Sequence, residues 1–287
     1  MGGIEPQLEP MTPEEFRLLA DLVQEHCGIR LREEMRFLVE RRIGTRVRAL
    51  GLPDFGAYHR FLRHGAGRRA ELETAVELLA THETYLFREP LQLRAFSREI
   101  LPELAERRAR ERRLHIWSAG CSTGEEAYTA AILLEETGLF EGWEVRIFGS
   151  DIARRALAVA RTGAYGSHAF RNPEAEELRR WFRPEGDRWV VADSVRRLVS
   201  FGYVNLLDPG AASLVARADL VFCRNVLIYF DMPERRRAVQ LFHHKLADGG
   251  YLLLGHSETL LDVTADFELV QLRNDLVYRK PRPARDG

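Results

Sequence analysis

Through residues 12–80 apolar positions recur every three or four residues, the spacing of amphipathic helices. Thr12-Pro13-Glu14-Glu15 reads as a capping box with proline at the first helical position, after which Phe16, Leu19, Ala20 and Val23 mark one face. A second helix is predicted over Glu33–Leu50, carried by Met35, Val39, Ile43 and Val47. Gly51-Leu52-Pro53-Asp54 stops it, and Asp54 can cap a short third helix holding Phe55, Tyr58 and Phe61 or Leu62. A fourth helix is predicted over Arg68–Ala80, with Leu72, Ala75, Val76 and Leu79 inward. Residues 1–80 are expected to form a small all-helical domain.

From residue 114 the pattern becomes an alternation of strand and helix, the mark of a parallel sheet covered on both faces. Strands are predicted at His115–Ser118, Val145–Ser150, Val199–Val204, Leu220–Cys223 and Tyr251–Leu254. Helices fit Gly124–Thr137, Arg154–Thr162 and Pro233–Leu246, with Asp248-Gly249-Gly250 ending the last. Phe267–Leu272 and Leu276–Arg279, joined by Arg273-Asn274-Asp275, predict an antiparallel pair at the sheet edge. Residues 163–198 break the alternation with a short helix (Pro173–Phe182), a turn (Pro184–Asp187) and a strand (Arg188–Val191). They read as an insertion that pairs strands of its own, and such insertions often recognise a partner.

The chemistry concentrates where the first of these strands ends. Leu114–Tyr128 reads LHIWSAGCSTGEEAY: an apolar run, a glycine loop, then a helix start, the layout that brings backbone close to a ligand. The next strand ends at Asp151, placed to hold ribose hydroxyls. Gly120 and Gly124 do not make the dinucleotide fingerprint, and Glu125 and Glu126 would repel a pyrophosphate. A cationic, phosphate-free adenosine cofactor, S-adenosylmethionine, fits better. The two glutamates are otherwise explained as exposed partners of the helix dipole.

Composition narrows the remaining classes. Hydrophobic residues make 45% and charged residues 30% of the 287, which describes a soluble globular protein with room for two domains. A net charge of -1 argues against a nucleic-acid partner. Cys27, Cys121 and Cys223 form no C-x-x-C pair, and no H-E-x-x-H is present, so no metal is expected. The opening MGGIEPQLEP lacks the basic and apolar regions of a signal peptide, and no apolar run could span a bilayer, so a cytoplasmic protein without membrane insertion is expected. The second helix carries Arg30, Arg32, Arg36, Arg41, Arg42, Arg46 and Arg48 against Glu33, Glu34 and Glu40. It is either a solvated face with helical ion pairs or a docking surface for an acidic partner.

Six motifs in order then resemble the chemotaxis receptor glutamate O-methyltransferases, the CheR family: THETYLFRE (81–89), WSAGCSTGEEAY (117–128), SDI (150–152), NLLDP (205–209), FCRNVLIYFD (222–231) and DGGYLLLGHSE (248–258). The resemblance implies an α/β fold: a Rossmann-like S-adenosylmethionine-dependent methyltransferase sheet over 114–287, an all-α N-terminal domain over 1–80 and a small inserted β-subdomain. Residues 81–113 would be a linker and helix covering the cofactor site. His82, Thr84 and Arg88 would then neighbour the cofactor, with Gly120 in its loop, Glu126 facing its amino group and Asp151 its ribose. Asn205 and Leu206 would flank the adenine, although Asn205 can equally cap a turn and Leu206 can equally be core. Arg224, Asn225 and Tyr229 would line the methyl-transfer end.

The implied reaction transfers a methyl group from S-adenosylmethionine to glutamate carboxylates on the cytoplasmic helical region of a chemoreceptor, the adaptation step of chemosensory signal transduction, with S-adenosylhomocysteine as product. A glutamate with a pKa near ~4.3 is already an anion at neutral pH, so no general base is needed. Arg88 and Tyr229, with Arg224, are the candidates for orienting it. Some family members grip a pentapeptide at the receptor's C-terminus through a glycine-containing loop of the β-subdomain. The turn Arg183-Pro184-Glu185-Gly186-Asp187 is shorter and has one glycine, so recognition without that tether is expected, with the arginine-rich helix as contact. A catalytically silent S-adenosylmethionine-sensing module, a methyltransferase with another protein acceptor and a nicotinamide oxidoreductase are the alternatives.

Overall fold

A computed structural model describes residues 8–173 and 178–283. The chain divides into two compact units, one ending at Thr81 and the other beginning at His82.

The first unit is helical. The capping box forms in both directions: Thr12 Oγ1 accepts from Glu15 N at 3.2 Å, and Thr12 N donates to the Glu15 carboxylate at 2.9 Å. It opens α1, Pro13–Cys27, which ends on Gly28 at φ +79°. The predicted second helix begins as a 3-10 turn, Glu33–Met35, and becomes α2 over Arg36–Ala49. Asp54 caps α3, Phe55–His64, by accepting from Ala57 N at 2.6 Å, and α4 runs Arg68–Leu79. Phe16, Leu19, Val23, Val39, Ile43, Val47, Phe55, Tyr58, Leu62, Ala75, Val76 and Leu79 are buried, which settles the Phe61-or-Leu62 alternative for Leu62.

On α4 the buried neighbour of Leu72 is Glu71, a carboxylate. Arg46 grips it with Nε at 2.9 Å and Nη2 at 2.7 Å, and the Tyr58 hydroxyl donates at 2.8 Å. A fork-on-carboxylate pair of this kind is what makes burial of a charge tolerable. Arg42 likewise turns inward, onto the Leu78 carbonyl at 2.9 Å. The arginine-rich helix is therefore divided: Arg42 and Arg46 hold the unit together, while Arg41 and Arg48 are exposed beside Phe37, which is 75% exposed.

The second unit is built on a seven-stranded sheet. β1 (Arg113–Ala119), β2 (Glu144–Asp151), β6 (Val199–Tyr203), β7 (Ala218–Cys223) and β8 (Leu246–Leu254) are parallel, in the order β6-β2-β1-β7-β8. β10 (Leu276–Arg279) pairs antiparallel with β8, and β9 (Glu268–Gln271) closes the edge. β7 is buried along its whole length, as a strand covered on both faces must be. α7 (Glu125–Thr137), α8 (Arg154–Thr162) and the helix Met232–Lys245 connect these strands. α5 (Pro90–Ala95), a π turn (Phe96–Ile100) and α6 (Leu101–Arg107) precede β1. Leu93, Phe96, Ile100, Leu101 and Leu104 are buried against the sheet, and the Phe96 ring meets Phe222 edge-on at 5.2 Å.

Two boundaries differ from the sequence pattern. β8 starts at Leu246, ahead of Asp248-Gly249-Gly250, because Gly249 takes φ +72° and the register against β7 shifts there. The glycines mark a bulge inside the strand, not the end of the helix. In the insertion, β3 (Ala164–Tyr165), β5 (Arg188–Val191) and β4 (Phe182–Glu185) form a separate antiparallel sheet in the order β3-β5-β4. Pro184 lies within β4, an edge strand where a missing N–H is tolerated, so only Gly186 (φ +62°) and Asp187 remain to make the turn. The helix predicted at Pro173–Phe182 falls in part on residues 174–177, outside the described residues; its described end is a 3-10 turn, Arg179–Trp181.

Candidate active site

In open parallel sheets, ligands bind beyond the carboxyl ends of the strands where the chain reverses its order of addition. Here that point lies between β1 and β7, and the loops after both strands meet. A Cβ on Gly120 would sit 2.4 Å from Val226 Cγ2, and Gly120 has φ +78°, so no other residue fits this contact without displacement. Gly120 N and Cys121 N both donate to the Ser150 carbonyl, at 2.7 and 2.9 Å, which fixes the loop to the end of β2.

Asp151 closes β2 and is buried. Its Oδ2 accepts from Ser122 N at 2.8 Å and its Oδ1 from Ala153 N at 2.9 Å. Burial raises its pKa above the ordinary aspartate value, opposed by those two backbone donors and by the positive field of His82. His82 thus acts on the Asp151 carboxylate from the strap that opens the second unit, and Thr84 is half-buried on the same strap.

Neither glutamate of the α7 first turn is an exposed dipole partner. Glu125 is 5% exposed and takes the Thr123 hydroxyl at 2.6 Å. Glu126 accepts from Ser118 Oγ at 2.7 Å and from Arg224 Nη1 at 3.4 Å. Burial raises the Glu126 pKa, opposed by Arg224 and Ser118 and reinforced by the charges of Glu89 and Glu258. Arg224 therefore stands among several carboxylates, its side chain 3% exposed. It bonds Glu89 through Nε (3.3 Å) and Nη2 (3.2 Å), and Nη2 also donates to the Arg88 carbonyl.

That carbonyl lies between two residues forced into the left-handed region, Phe87 (φ +58°) and Glu89 (φ +59°). Ser122 (φ +50°) and Asn225 (φ +59°) share this conformation, so four of the six such non-glycine residues among the described residues belong to these loops. Strain of ~1–3 kcal/mol per residue concentrates where geometry serves a site. The strap is held from the insertion as well, where Leu86 N donates to Ala169 O at 3.0 Å and Asn172 Nδ2 to Phe87 O, and from α7, where Phe87 N donates to Thr129 Oγ1 at 3.1 Å.

The predicted residues divide clearly. Gly120, Glu126, Asp151, Arg224 and Asn225 come together in one cluster. The Arg88 guanidinium turns to the Glu83 carbonyl at 2.9 Å, leaving Arg224 to hold its backbone. Asn205 caps its own turn, its Oδ1 accepting from Leu207 N at 3.0 Å, and Leu206 is half-buried, not core. Tyr229 ends a 3-10 turn after β7 and is half-buried. Glu89, Glu258 and Ser118 were missed as contributors. Glu89 and Glu258 stand inside two of the motifs, but only the tertiary fold shows what they hold.

The cluster fits a cationic adenosine cofactor on its own chemistry. Its carboxylates exceed its cations, and two buried acceptor groups, Ser122 Oγ and Asn225 Oδ1, have no hydrogen-bond partner among the described residues. Cys121 and Cys223 are unpaired and buried, with thiols pushed far above their ordinary pKa by burial, so neither is a nucleophile.

The comparisons with known proteins identify the family. Residues 82–276 match the CheR methyltransferase SAM binding domain and residues 14–80 the CheR methyltransferase all-alpha domain. The chain is 32% identical to chemotaxis protein methyltransferase 2 of Vibrio cholerae over 277 residues, covering 96% of each. It is 35% identical to the chemotaxis protein methyltransferase of Vibrio parahaemolyticus, over 94% of this chain and 98% of that one. Against the Salmonella typhimurium enzyme the identity is 36%, over 92% and 88%. With both of its units matched in order, the chain belongs to the CheR methyltransferase family.

Proposed function

We propose that this methyltransferase converts glutamate side chains on the cytoplasmic helical region of a chemoreceptor into methyl esters, using S-adenosylmethionine. The observation that carries the reading is the buried, carboxylate-rich cluster at the ends of β1, β2 and β7, with Arg224 at its centre. Within it Glu126 would take the cofactor's amino group and Asp151 its ribose. Asn205 and Leu206 would flank the adenine, while Gly120, His82, Thr84 and Asn225 complete the enclosure. When bound, the cofactor supplies an electrophilic methyl group on a positively charged sulfur.

The protein's own contribution is alignment and exclusion of water. The acceptor carboxylate is already ionised, and holding it in line can lower the barrier by up to ~7–11 kcal/mol. Arg88 has a guanidinium with donors to spare beyond its bond to Glu83, enough for a partial contact that orients the acceptor without quenching it. Tyr229 orients it from the loop after β7. Arg88→Ala and Tyr229→Phe should each lower kcat by roughly 10- to 100-fold while changing cofactor affinity little. Equal losses of affinity, with unchanged turnover of the bound state, would contradict these roles. The two-residue turn Gly186-Asp187 offers little to a tethering peptide, so a receptor fragment lacking its C-terminal tail should be methylated as well as the complete one. Arg41 and Arg48 of α2 supply the complementary surface for its acidic helices.

Acid should weaken cofactor binding. Glu126 and Asp151 have raised pKa values in the free protein, and the cofactor's positive charge favours their ionised forms. Binding therefore releases protons, and affinity falls as the pH drops, beginning above the ordinary glutamate value of 4.5. Calorimetric titration at a series of weakly acidic pH values reads this directly; an affinity independent of pH would remove Glu126 from the amino-group site.

A further inference from the structure

The loop after β7 carries Asn225 and Tyr229, yet it has almost no secondary structure to hold it. Arg235 Nε fixes its Leu227 and Phe230 carbonyls, both at 2.9 Å, and one carboxylate from beyond the end of β8 holds its amides. Glu258 follows β8, and its carboxylate accepts four backbone N–H groups. Oε2 takes Asn225 N and Gly255 N, both at 2.7 Å, and Oε1 takes Val226 N at 2.9 Å and Ile228 N at 3.2 Å. Three of these donors are consecutive or nearly so on the β7 loop, and the fourth ties the same carboxylate to the end of β8. Asn225 is at φ +59°, a conformation that needs such support. A Cβ on Gly255 would fall 2.8 Å from Asn225 Nδ2 and 3.0 Å from Glu258 Oε2, so the two loops are packed to contact at this point. Cys223 and Glu126 lie within the electrostatic reach of Glu258.

We propose that Glu258 is a positioning residue for methyl transfer: its carboxylate sets the backbone of Asn225–Tyr229 and so aims Tyr229 at the acceptor. The inference rests on the methyltransferase reading above. A carboxylate is required because all four partners are donors. An amide of the same shape would present its own N–H groups to two of them, leaving donors facing donors. An aspartate would be too short to reach both loops.

The test is Glu258→Gln, assayed for methyl transfer to a receptor fragment and for cofactor affinity. A misplacement of the loop predicts kcat lower by roughly 10- to 100-fold and a smaller loss of cofactor affinity, since Asn225 shifts with the loop while Glu126 and Asp151 stay in place. A purely structural glutamate would lower Tm and leave kcat unchanged below the transition. A kcat within about 2-fold of the parent, or a fall in affinity as large as that in kcat, would overturn the proposal. Hydrogen exchange of the parent protein provides a readout that needs neither a variant nor an acceptor. The amides of Asn225, Val226, Ile228 and Gly255 should be protected although they lie in loops, and rapid exchange at all four would also overturn it. Failure of the parent to methylate any receptor would instead count against the function, and the exchange result would stand apart from it.

Discussion

Arg224→Ala should abolish measurable turnover and destabilise the second unit by about 3–5 kcal/mol, the usual consequence of leaving buried carboxylates without their cation. The guanidinium joins the end of β7 to two other elements: Glu89 and the Arg88 carbonyl on the strap, and Glu126 on α7. Without it the strained pair Phe87 and Glu89 loses the contact between them, and Glu89 and Glu126 face each other unpaired. Arg224→Lys should rescue little, since one ammonium cannot reproduce a fork that reaches three partners. The sign of the pH dependence is also set. Removing the cation raises the folded-state pKa of Glu126 further, and a carboxyl with a raised pKa contributes stability that is present at low pH and lost as the pH rises through it. The variant's deficit should therefore widen from mildly acidic to neutral pH in thermal melts. An Arg224→Ala protein with parental Tm and turnover would show that the hub is decorative.

Asp151→Ala is expected to weaken cofactor affinity by on the order of 100-fold or more, because hydrogen bonds to a charged acceptor contribute ~1.5–3 kcal/mol each. Two effects add. The ribose hydroxyls lose their acceptor, and Ser122 N and Ala153 N lose theirs, so the glycine loop after β1 is held to the end of β2 only by the Ser150 carbonyl. At saturating cofactor, turnover should stay within a few-fold of the parent, which separates this variant from Arg224→Ala. Isothermal titration with S-adenosylhomocysteine measures the affinity without catalysis; an unchanged value would remove Asp151 from the ribose site.

Much of this was legible from local pattern. The Thr12 capping box, the Asp54 cap and the bounds of α8 follow from short-range rules that the fold leaves intact. The strand–loop–helix around Gly120 and the acid ending β2 could be read because both are local and chemically distinctive. What could not be read depends on residues far apart in the chain. Glu71 on α4 fits the surface pattern of a helix, and only Arg46 and Tyr58 make its burial possible. Glu125 looks like a solvated first-turn acid until the Thr123 hydroxyl is seen against it. Glycines at 249 and 250 signal a turn equally well for a helix end or a bulge, and pairing with β7 decides between them. Glu258 is 33 residues from Asn225 and carries no local signature beyond its place after Gly-His-Ser.

The most direct test is transfer of labelled methyl from S-adenosylmethionine to a purified receptor cytoplasmic fragment, followed by exposure to alkali. A carboxyl methyl ester predicts label on the receptor that is released by base, and mapping of that label to glutamates. Alkali-stable label, or no label from a protein that binds the cofactor, would contradict the account and point to another acceptor or to a silent cofactor-sensing module.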